Sequence, residues 1–252
     1  MHKSAHQFAI HISNLSEIIL KYSKTNKITL KDKELAHRLF SVLRFNDDDE
    51  LVLFDKFKHV SVKIISWHKN GEIVLSILDS KDNTILTPKI TWILPILKRT
   101  ALEEALYSLC EVGVSQIQLV ITEKSQHTNF DSKHMERLNL IVISAAEQSK
   151  NFNYPEILSP IKLSDIEKND IILEDYLQHK IYFDAQGNSS VGLLSKIHSK
   201  KSIVAMCGPE SDLTDLEKDF LKKLGFEFFA LTHTVLRASQ AVAIGSGLLR
   251  LK

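Results

Sequence analysis

Ile203-Val-Ala-Met-Cys-Gly-Pro-Glu210 and Leu231-Thr-His-Thr-Val-Leu-Arg-Ala-Ser-Gln-Ala241 are the two stretches on which the reading of this 252-residue chain turns. The first is an apolar strand, Ile203 to Cys207, stopped by Gly208-Pro209. The second leaves a strand running from Phe226 to Leu231. Between them Thr214-x-x-Glu217 has the form of a capping box, Leu216, Phe220 and Leu224 follow as an apolar stripe, and Gly225 ends the helix. A helix between two strands returns the chain to the same edge of a parallel sheet. Open α/β sheets hold their ligands at that edge, beyond the carboxyl ends of the strands.

Working outward, the same grammar recurs upstream. Ile90 to Leu94 reads as a strand, followed by a second capping-box signature, Thr100-x-x-Glu103, and a helical face of Leu102, Leu106 and Leu109 ending at Gly113. Gln116 to Ile121 is the next strand. A helix over 132–149 would bury Met135, Leu138, Val142 and Ala145; Ile181-Tyr-Phe183 supplies a further strand, and a last helix runs from about Ser239 to Leu251. Alternation of this kind predicts an α/β domain with a parallel sheet over residues 88–252. Before it, Leu51–Phe54, Ser61–Trp67 and Glu72–Ile77 read as three strands. Asn70-Gly71 is a hairpin signal, and Lys81-Asp-Asn-Thr84 is a polar connector. A small β-domain over residues 1–80 is the expectation.

Composition narrows the functional class. Thirty-two Lys plus Arg stand against thirty-one Asp plus Glu, a formal charge of +1, so global charge makes no case for nucleic acid. Locally the balance differs. Lys21, Lys24, Lys27, Lys31, Lys33, Arg38 and Arg44 share a segment with only Asp32 and Glu34. Such a patch suits phosphate contacts, and equally suits a solvated face. The two cysteines, Cys110 and Cys207, lie far apart in apolar runs, which argues against a disulfide framework or a zinc site. Eleven scattered histidines show no ligand spacing, so no metal is expected. The stretch Met1-His-Lys-Ser-Ala-His-Gln7 lacks the apolar core of a signal peptide, and no run reaches the roughly 18 residues of a membrane span. A soluble, cytoplasmic protein is the expectation.

Gly208-Pro209-Glu210 fits a plain strand-to-loop turn and also the rim of a cofactor site, where glycine admits a close approach and proline stiffens the loop. Val235-Leu236 could hold a flat apolar ring while Arg237 presents a cation. An arginine before a helix is otherwise most often a surface residue.

Longer words resemble one family across most of the chain. His37-Arg-Leu-Phe-Ser-Val-Leu-Arg44 with Leu53-Phe-Asp55 is similar to "H…VLR…LFDG". Leu97-Lys98, Leu102-Glu103 and Glu111-Val-Gly-Val114 are similar to "LLKGDKME…ELGV", and Thr122-Glu-Lys-Ser125 to "SERS". Ala145-Ala-Glu-Gln-Ser149 with Pro155-Glu-Ile157 is similar to "AAEQSGR…PEI". Gly208-Pro-Glu210 and Val235-Leu-Arg237 resemble "GPEGGF" and "ILRTETA". These words, in this order, are those of the SPOUT methyltransferases that modify N3 of a uridine in small-subunit ribosomal RNA.

The resemblance implies a PUA-like β-barrel domain that binds RNA and a SPOUT α/β domain with a deep trefoil knot. It implies S-adenosylmethionine held at Met206, Cys207, Gly208, Pro209, Glu210, Leu231, Thr232, Val235 and Leu236, with Arg237 catalytic. Lys27, Lys31, Arg38 and Arg44 would contact 16S ribosomal RNA, free or in the assembled small subunit, and the protein would be a homodimer. A non-catalytic RNA-binding relative and a SPOUT enzyme with another RNA target are the alternatives. The departures matter for that choice. "GGF" has become Ser211-Asp212-Leu213, the glutamate of "RTET" has become Ser239, and Thr232 stands where glycine is usual. Tyr107 falls in the altered "QKATELGV" word, and Asn151 replaces the arginine after "EQSG". The first three bear on cofactor affinity, the last two on RNA contacts.

Overall fold

The computed structural model describes residues 8–22, 26–125, 130–168, 178–197 and 201–251. The chain divides into two compact units, residues 1–84 and 85–252.

The first unit is built on β1 (Phe8–His11), β2 (Lys27–Lys31), β3 (Glu50–Phe54), β4 (Lys58–Trp67) and β5 (Glu72–Asp82). Their order in the sheet is β1-β3-β4-β5-β2, with β1 parallel to β3 and the other pairs antiparallel. The inward residues alternate as a half-buried sheet requires: Ile28 and Leu30 on β2, and Val60, Val62 and Ile64 on β4. Leu15, at the start of α1 (Leu15–Tyr22), joins that core. So do Leu35 and Ala36 of α2 (Lys33–Ala36) and Leu39 of the π-helical turn His37–Val42. Asp32 caps α2 by accepting from the Glu34 and Leu35 backbone N–H groups. The polar connector expected at 81–84 begins inside β5, because Asn83 is drawn into this unit. Its amide donates to the Asp55 carbonyl at 2.8 Å, and its backbone N–H donates to the Phe57 carbonyl at 2.7 Å.

The second unit contains a wholly parallel six-stranded sheet. Its strands are β6 (Lys89–Pro95), β7 (Gln116–Ile121), β8 (Glu156–Lys162), β9 (His179–Ser189), β10 (Ser202–Cys207) and β11 (Glu227–Ala230). The order is β11-β9-β10-β6-β7-β8. The central β6 and β10 are continuous apolar runs, buried from Ile90 to Pro95 and from Ile203 to Cys207, as strands covered on both faces demand. Among the described residues, five α-helices accompany the sheet: α3 (Arg99–Glu111), α4 (Ser132–Ser149), α5 (Leu193–Ile197), α6 (Asp215–Lys223) and α7 (Ala238–Leu249). No described helix is long and apolar enough to cross a membrane.

Three local expectations are corrected. Thr100 does not cap α3, whose N-cap is Lys98. Glu103 instead pairs with Arg99 at 3.1 Å and with Arg137 of α4 at 2.7 Å, joining two helices. On α6 the capping box at Thr214 and Glu217 is present, and Gly225 follows at φ +85°, but Leu216 is 79% exposed and Leu221 is the buried residue. The cause is the Glu217 carboxylate, which also accepts from the Glu123 backbone N–H at 2.8 Å. That bond turns Glu217, and Leu221 one helical turn later, toward the sheet. On α4, Leu138, Val142 and Ala145 are buried as expected, whereas Met135 is only partly so.

Strand β9 is longer than its apolar core. It pairs with β11 through Tyr182 opposite Phe228, loses the register, and resumes it with Asn188 opposite Phe229. Residues 183–187 therefore bow away from β11, while Phe183 stays paired with Cys207 of β10. Gly187 permits the return: a Cβ there would lie 2.6 Å from the Phe229 backbone. Gly187→Ala should force β11 to shift and cost about 1–3 kcal/mol, as overpacking does. Denaturant unfolding of the variant beside the parent measures it; an unchanged midpoint would place no close approach there.

Candidate active site

The strand order reverses between β6 and β10: β7 and β8 extend the sheet on one side, and β9 and β11 on the other. At that switch point, beyond the carboxyl ends of the strands, lies a crevice of about 780 Å³. It falls within the roughly 300–1,000 Å³ typical of small-molecule sites. Four strand exits form it. Lys98 follows β6, Phe183 to Gln186 bow from β9, Cys207 to Glu210 follow β10, and Leu231 to Arg237 follow β11.

Of the expected cofactor residues, Cys207, Gly208, Pro209, Glu210, Leu231, Thr232, Val235 and Leu236 line this one crevice, as does Arg237. Met206 does not; it is fully buried beneath, packed with Ile93, Val120 and Leu221. The reason is strand alternation, which sends successive side chains to opposite faces.

Polar contacts fix the loop after β10. The Glu210 carboxylate accepts from the Lys98 backbone N–H at 3.2 Å, so it serves the N-terminus of α3, which lacks a side-chain cap of its own. The Lys124 ammonium donates to the Ser211 carbonyl at 3.0 Å. Asp212 adopts φ +56°, and its N–H donates to the Pro209 carbonyl at 2.9 Å, closing a tight turn. One Asp212 oxygen accepts from the Leu213 N–H and, at 3.5 Å, from the Tyr182 hydroxyl; the other meets Lys218 at 2.8 Å. Lys218 reaches Asp184 at the same distance, with the Lys218 and Asp184 side chains only 17% and 10% exposed. Burial pushes the Asp184 carboxyl up, but the Gln186 backbone N–H and Lys218 outweigh it and hold the group below the ordinary carboxylate range. Gly208 sits against this cluster: a Cβ would lie 2.8 Å from the Tyr182 hydroxyl and 3.0 Å from Asp212.

Two acids are silenced by burial. The Cys207 thiol is pushed up to about 12, first by burial and then by Glu210. Tyr182 is raised as well, chiefly by burial. Both stay protonated near neutral pH, which removes them as nucleophiles or bases. Arg237 is exposed at the N-cap of α7 and makes no side-chain capping hydrogen bond. Among the described residues, no three His, Cys, Asp or Glu side chains are grouped to hold a metal ion.

Sequence reasoning missed Lys98, Tyr182, Asp184, Gln186 and Lys218 as crevice residues. Asp184 was within reach, since it follows an apolar strand as Gly208 does. Lys218 carried no signal, because its place depends on how α6 is turned.

The RNA methyltransferase domain family matches residues 86–249. The chain belongs to that family. Among its relatives, the ribosomal RNA small subunit methyltransferase E of Aquifex aeolicus (strain VF5) is 26% identical over 222 residues, covering 86% of this chain and 91% of the relative. The ribosomal RNA small subunit methyltransferase E 2 of Borreliella burgdorferi is 25% identical over the same length, covering 86% and 88%. A ribosomal RNA small subunit methyltransferase E of Neisseria gonorrhoeae, solved bound to S-adenosylmethionine, superposes with a TM-score of 0.79 at 24% identity, over 96% of this chain and 95% of that one. The methyltransferase domain thus coincides with the second unit and takes in the whole crevice.

The basic residues lie in the first unit. Lys27 and Lys31 are exposed on β2, an end strand of its sheet, with Ile28 and Leu30 facing inward between them. Arg38 is exposed on the π-helical turn and Arg44 just beyond it at φ +59°. Lys24 lies outside the described residues. Thr232 donates to the Thr234 carbonyl at 2.6 Å, and Ser239 is buried at the crevice wall. Asn151 donates to the Cys110 carbonyl at 2.8 Å, and Tyr107 is half-buried on α3.

The lowered Asp184 predicts a pH signature. A carboxylate held below its unfolded value stabilises the fold above about pH 4, and that contribution disappears as pH falls through the folded value. Asp184→Asn should therefore lower stability by about 1.5–3 kcal/mol at neutral pH. The gap from the parent, followed by urea unfolding across pH, should close in acid; a pH-independent gap would exclude the ion pair as its source.

Proposed function

We propose that this protein transfers a methyl group from S-adenosylmethionine to N3 of a specific uridine in small-subunit, 16S, ribosomal RNA, in the cytoplasm. The crevice carries this reading. It is the one place where the Gly208-Pro209-Glu210 and Val235-Leu236-Arg237 words converge, and its volume and mixed lining fit a cofactor with an adenine ring and a charged tail. Val235, Leu236 and Ala238 offer an apolar wall for the ring. Backbone groups of Cys207 to Glu210 and of Leu231 to Thr234 offer polar partners for the remainder.

When bound, the cofactor supplies a methyl group on a positively charged sulfur that leaves as a neutral thioether. The protein's share is alignment of the nucleophile with that carbon. Uridine N3 must lose its proton, and negative charge then spreads onto the carbonyl oxygens of the base. Arg237 is exposed at the crevice rim and meets that charge as a positioned cation does. Glu210 is committed to the Lys98 backbone, so the proton passes to solvent or RNA rather than to it.

The reading extends to a SPOUT domain with a deep trefoil knot, a PUA-like β-barrel for the first unit, a homodimer, and the assembled subunit as target. The placement of β10 between β6 and β9, both earlier in the chain, supports the knot, since the chain must return to the middle of a sheet already laid down. Exposed Lys27, Lys31, Arg38 and Arg44 support RNA contact by the first unit.

Titration with S-adenosylmethionine, followed by mapping of methylated uridine in small ribosomal subunits, tests the whole reading. Cofactor binding without methylation would favour another RNA target; no binding would favour a non-catalytic relative. Arg237→Ala should bind the cofactor nearly as the parent does yet lose roughly 100-fold to 1000-fold in single-turnover methylation. A rate within threefold of the parent would remove Arg237 from the chemistry. Replacing Lys27, Lys31 and Arg38 with glutamine should weaken RNA binding and flatten its salt dependence, by roughly 0.7–0.9 in logarithmic slope for each phosphate no longer neutralised. An unchanged slope would make the patch a solvated face.

A further inference from the structure

We propose that Lys218 is a positioning residue for the cofactor: its ammonium, held between Asp184 and Asp212, fixes the 208–213 loop in the shape that lines the crevice. The inference rests on the crevice being the cofactor site.

Asp212 carries the backbone problem. Its φ of +56° lies in the left-handed region, which glycine enters freely and an aspartate enters when its side chain is hydrogen-bonded. The family word "GPEGGF" has glycine at this position, and here an aspartate must be held there. Four contacts hold it. Its N–H closes the turn onto Pro209, its Oδ1 accepts from the Leu213 N–H at 2.8 Å and from the Tyr182 hydroxyl at 3.5 Å, and its Oδ2 takes the Lys218 ammonium at 2.8 Å. The first two are contacts within the turn. The other two tie the turn to the rest of the domain, and the Lys218 pair is the shorter and the charged one; Lys218 stands on α6 and also grips Asp184 at the exit of β9.

The geometry passes the effect to the cofactor rim. The Asp212 carboxylate and the Tyr182 hydroxyl together occupy the space beside Gly208, at 3.0 and 2.8 Å from where a Cβ would stand. Without Lys218, the Asp184 and Asp212 carboxylates lose the ammonium that each of them meets at 2.8 Å. The exposed member, Asp212, with 59% of its side chain open to solvent, is the one free to swing out, and the loop goes with it. Lys218 therefore does for Asp212 what the absence of a side chain does for a glycine.

The test uses the full-length protein and the variants Lys218→Met, Lys218→Arg, Asp212→Asn and the double variant Lys218→Met with Asp212→Gly. Amide hydrogen exchange without cofactor reads the loop directly. Lys218→Met and Asp212→Asn should speed exchange at Ser211, Asp212 and Leu213, while Lys218→Arg stays near the parent. With S-adenosylmethionine, Lys218→Met should raise Kd at least tenfold, with the kinetic loss falling on KM for the cofactor more than on kcat. The double variant should recover most of the affinity, because glycine takes the left-handed turn unaided. A role in stability alone would lower the melting temperature of Lys218→Met and leave loop exchange and Kd as in the parent. That result overturns the proposal, as does a double variant that binds no better than Lys218→Met. If Lys218→Met does not fold, Asp212→Asn decides by the same exchange and Kd readings. A parent that binds no cofactor would defeat the functional reading, and loop exchange would still decide whether Lys218 holds the turn.

Discussion

The crevice at the switch point depends on the six residues 208–213 being held in one shape by groups from distant parts of the chain. A parallel sheet delivers every strand exit to one edge, but it leaves each exit as a loop whose ordering costs roughly 1–2 kcal/mol per residue in backbone entropy. Here the bonds that offset that cost run between loops. Glu210 binds the backbone after β6, Lys124 from the exit of β7 binds Ser211, and Lys218 joins Asp212 to the exit of β9. Just beyond, Glu217 accepts from both Thr214 and Glu123, so α6 starts at a point pinned to β7. Most of these bonds involve an ionised group, which makes them the stronger class of hydrogen bond.

That network gives a physical meaning to the departures from the family's words. Asp212, where the family's word has glycine, adopts a left-handed turn and brings a carboxylate that is anchored on Lys218. Thr232 adds a hydroxyl, but the hydroxyl is turned back onto the Thr234 carbonyl of its own loop. Asn151 serves the C-terminal end of α3 by donating to the Cys110 carbonyl, a task internal to the fold. Ser239 is buried where the family's word has a glutamate, so Arg237 stands at the rim without a carboxylate two residues along the chain.

What was legible in the sequence was what is decided locally. The strand 116–121 and the helix over about 132–149 were readable, because apolar spacing acts within one segment. Gly208-Pro209-Glu210 and Arg237 were readable as one site because a strand–helix–strand unit fixes which edge its loops share. What failed was what depends on a partner. Thr100 and Glu103 have the spacing of a capping box, yet Arg137 of another helix draws Glu103 away. Leu216 has the spacing of a core residue, yet α6 is rotated by a bond to Glu123, and Leu216 faces solvent. The end strands β1 and β2 were unread, being short and carrying few apolar residues each. The bow in β9 was unreadable for a different reason: register against a neighbour is a property of two strands, and the sequence shows one at a time.

The state of the titratable groups around the crevice constrains the proposed chemistry. Lys218 has its charge matched by two carboxylates, Glu210 is bonded to backbone, and Cys207 and Tyr182 are kept protonated by burial. A reaction that needed a strong general base would find these groups already committed. Methyl transfer from a sulfonium has no such need, because its leaving group departs neutral and its barrier lies largely in alignment. The remaining electrostatic demand is the charge that appears on the base as N3 is deprotonated, and Arg237 at the rim has the sign and the exposure to meet it. The loop network that shapes the crevice commits Lys218 to two carboxylates, whereas Arg237 is exposed at its edge, as the proposed role in methyl transfer requires.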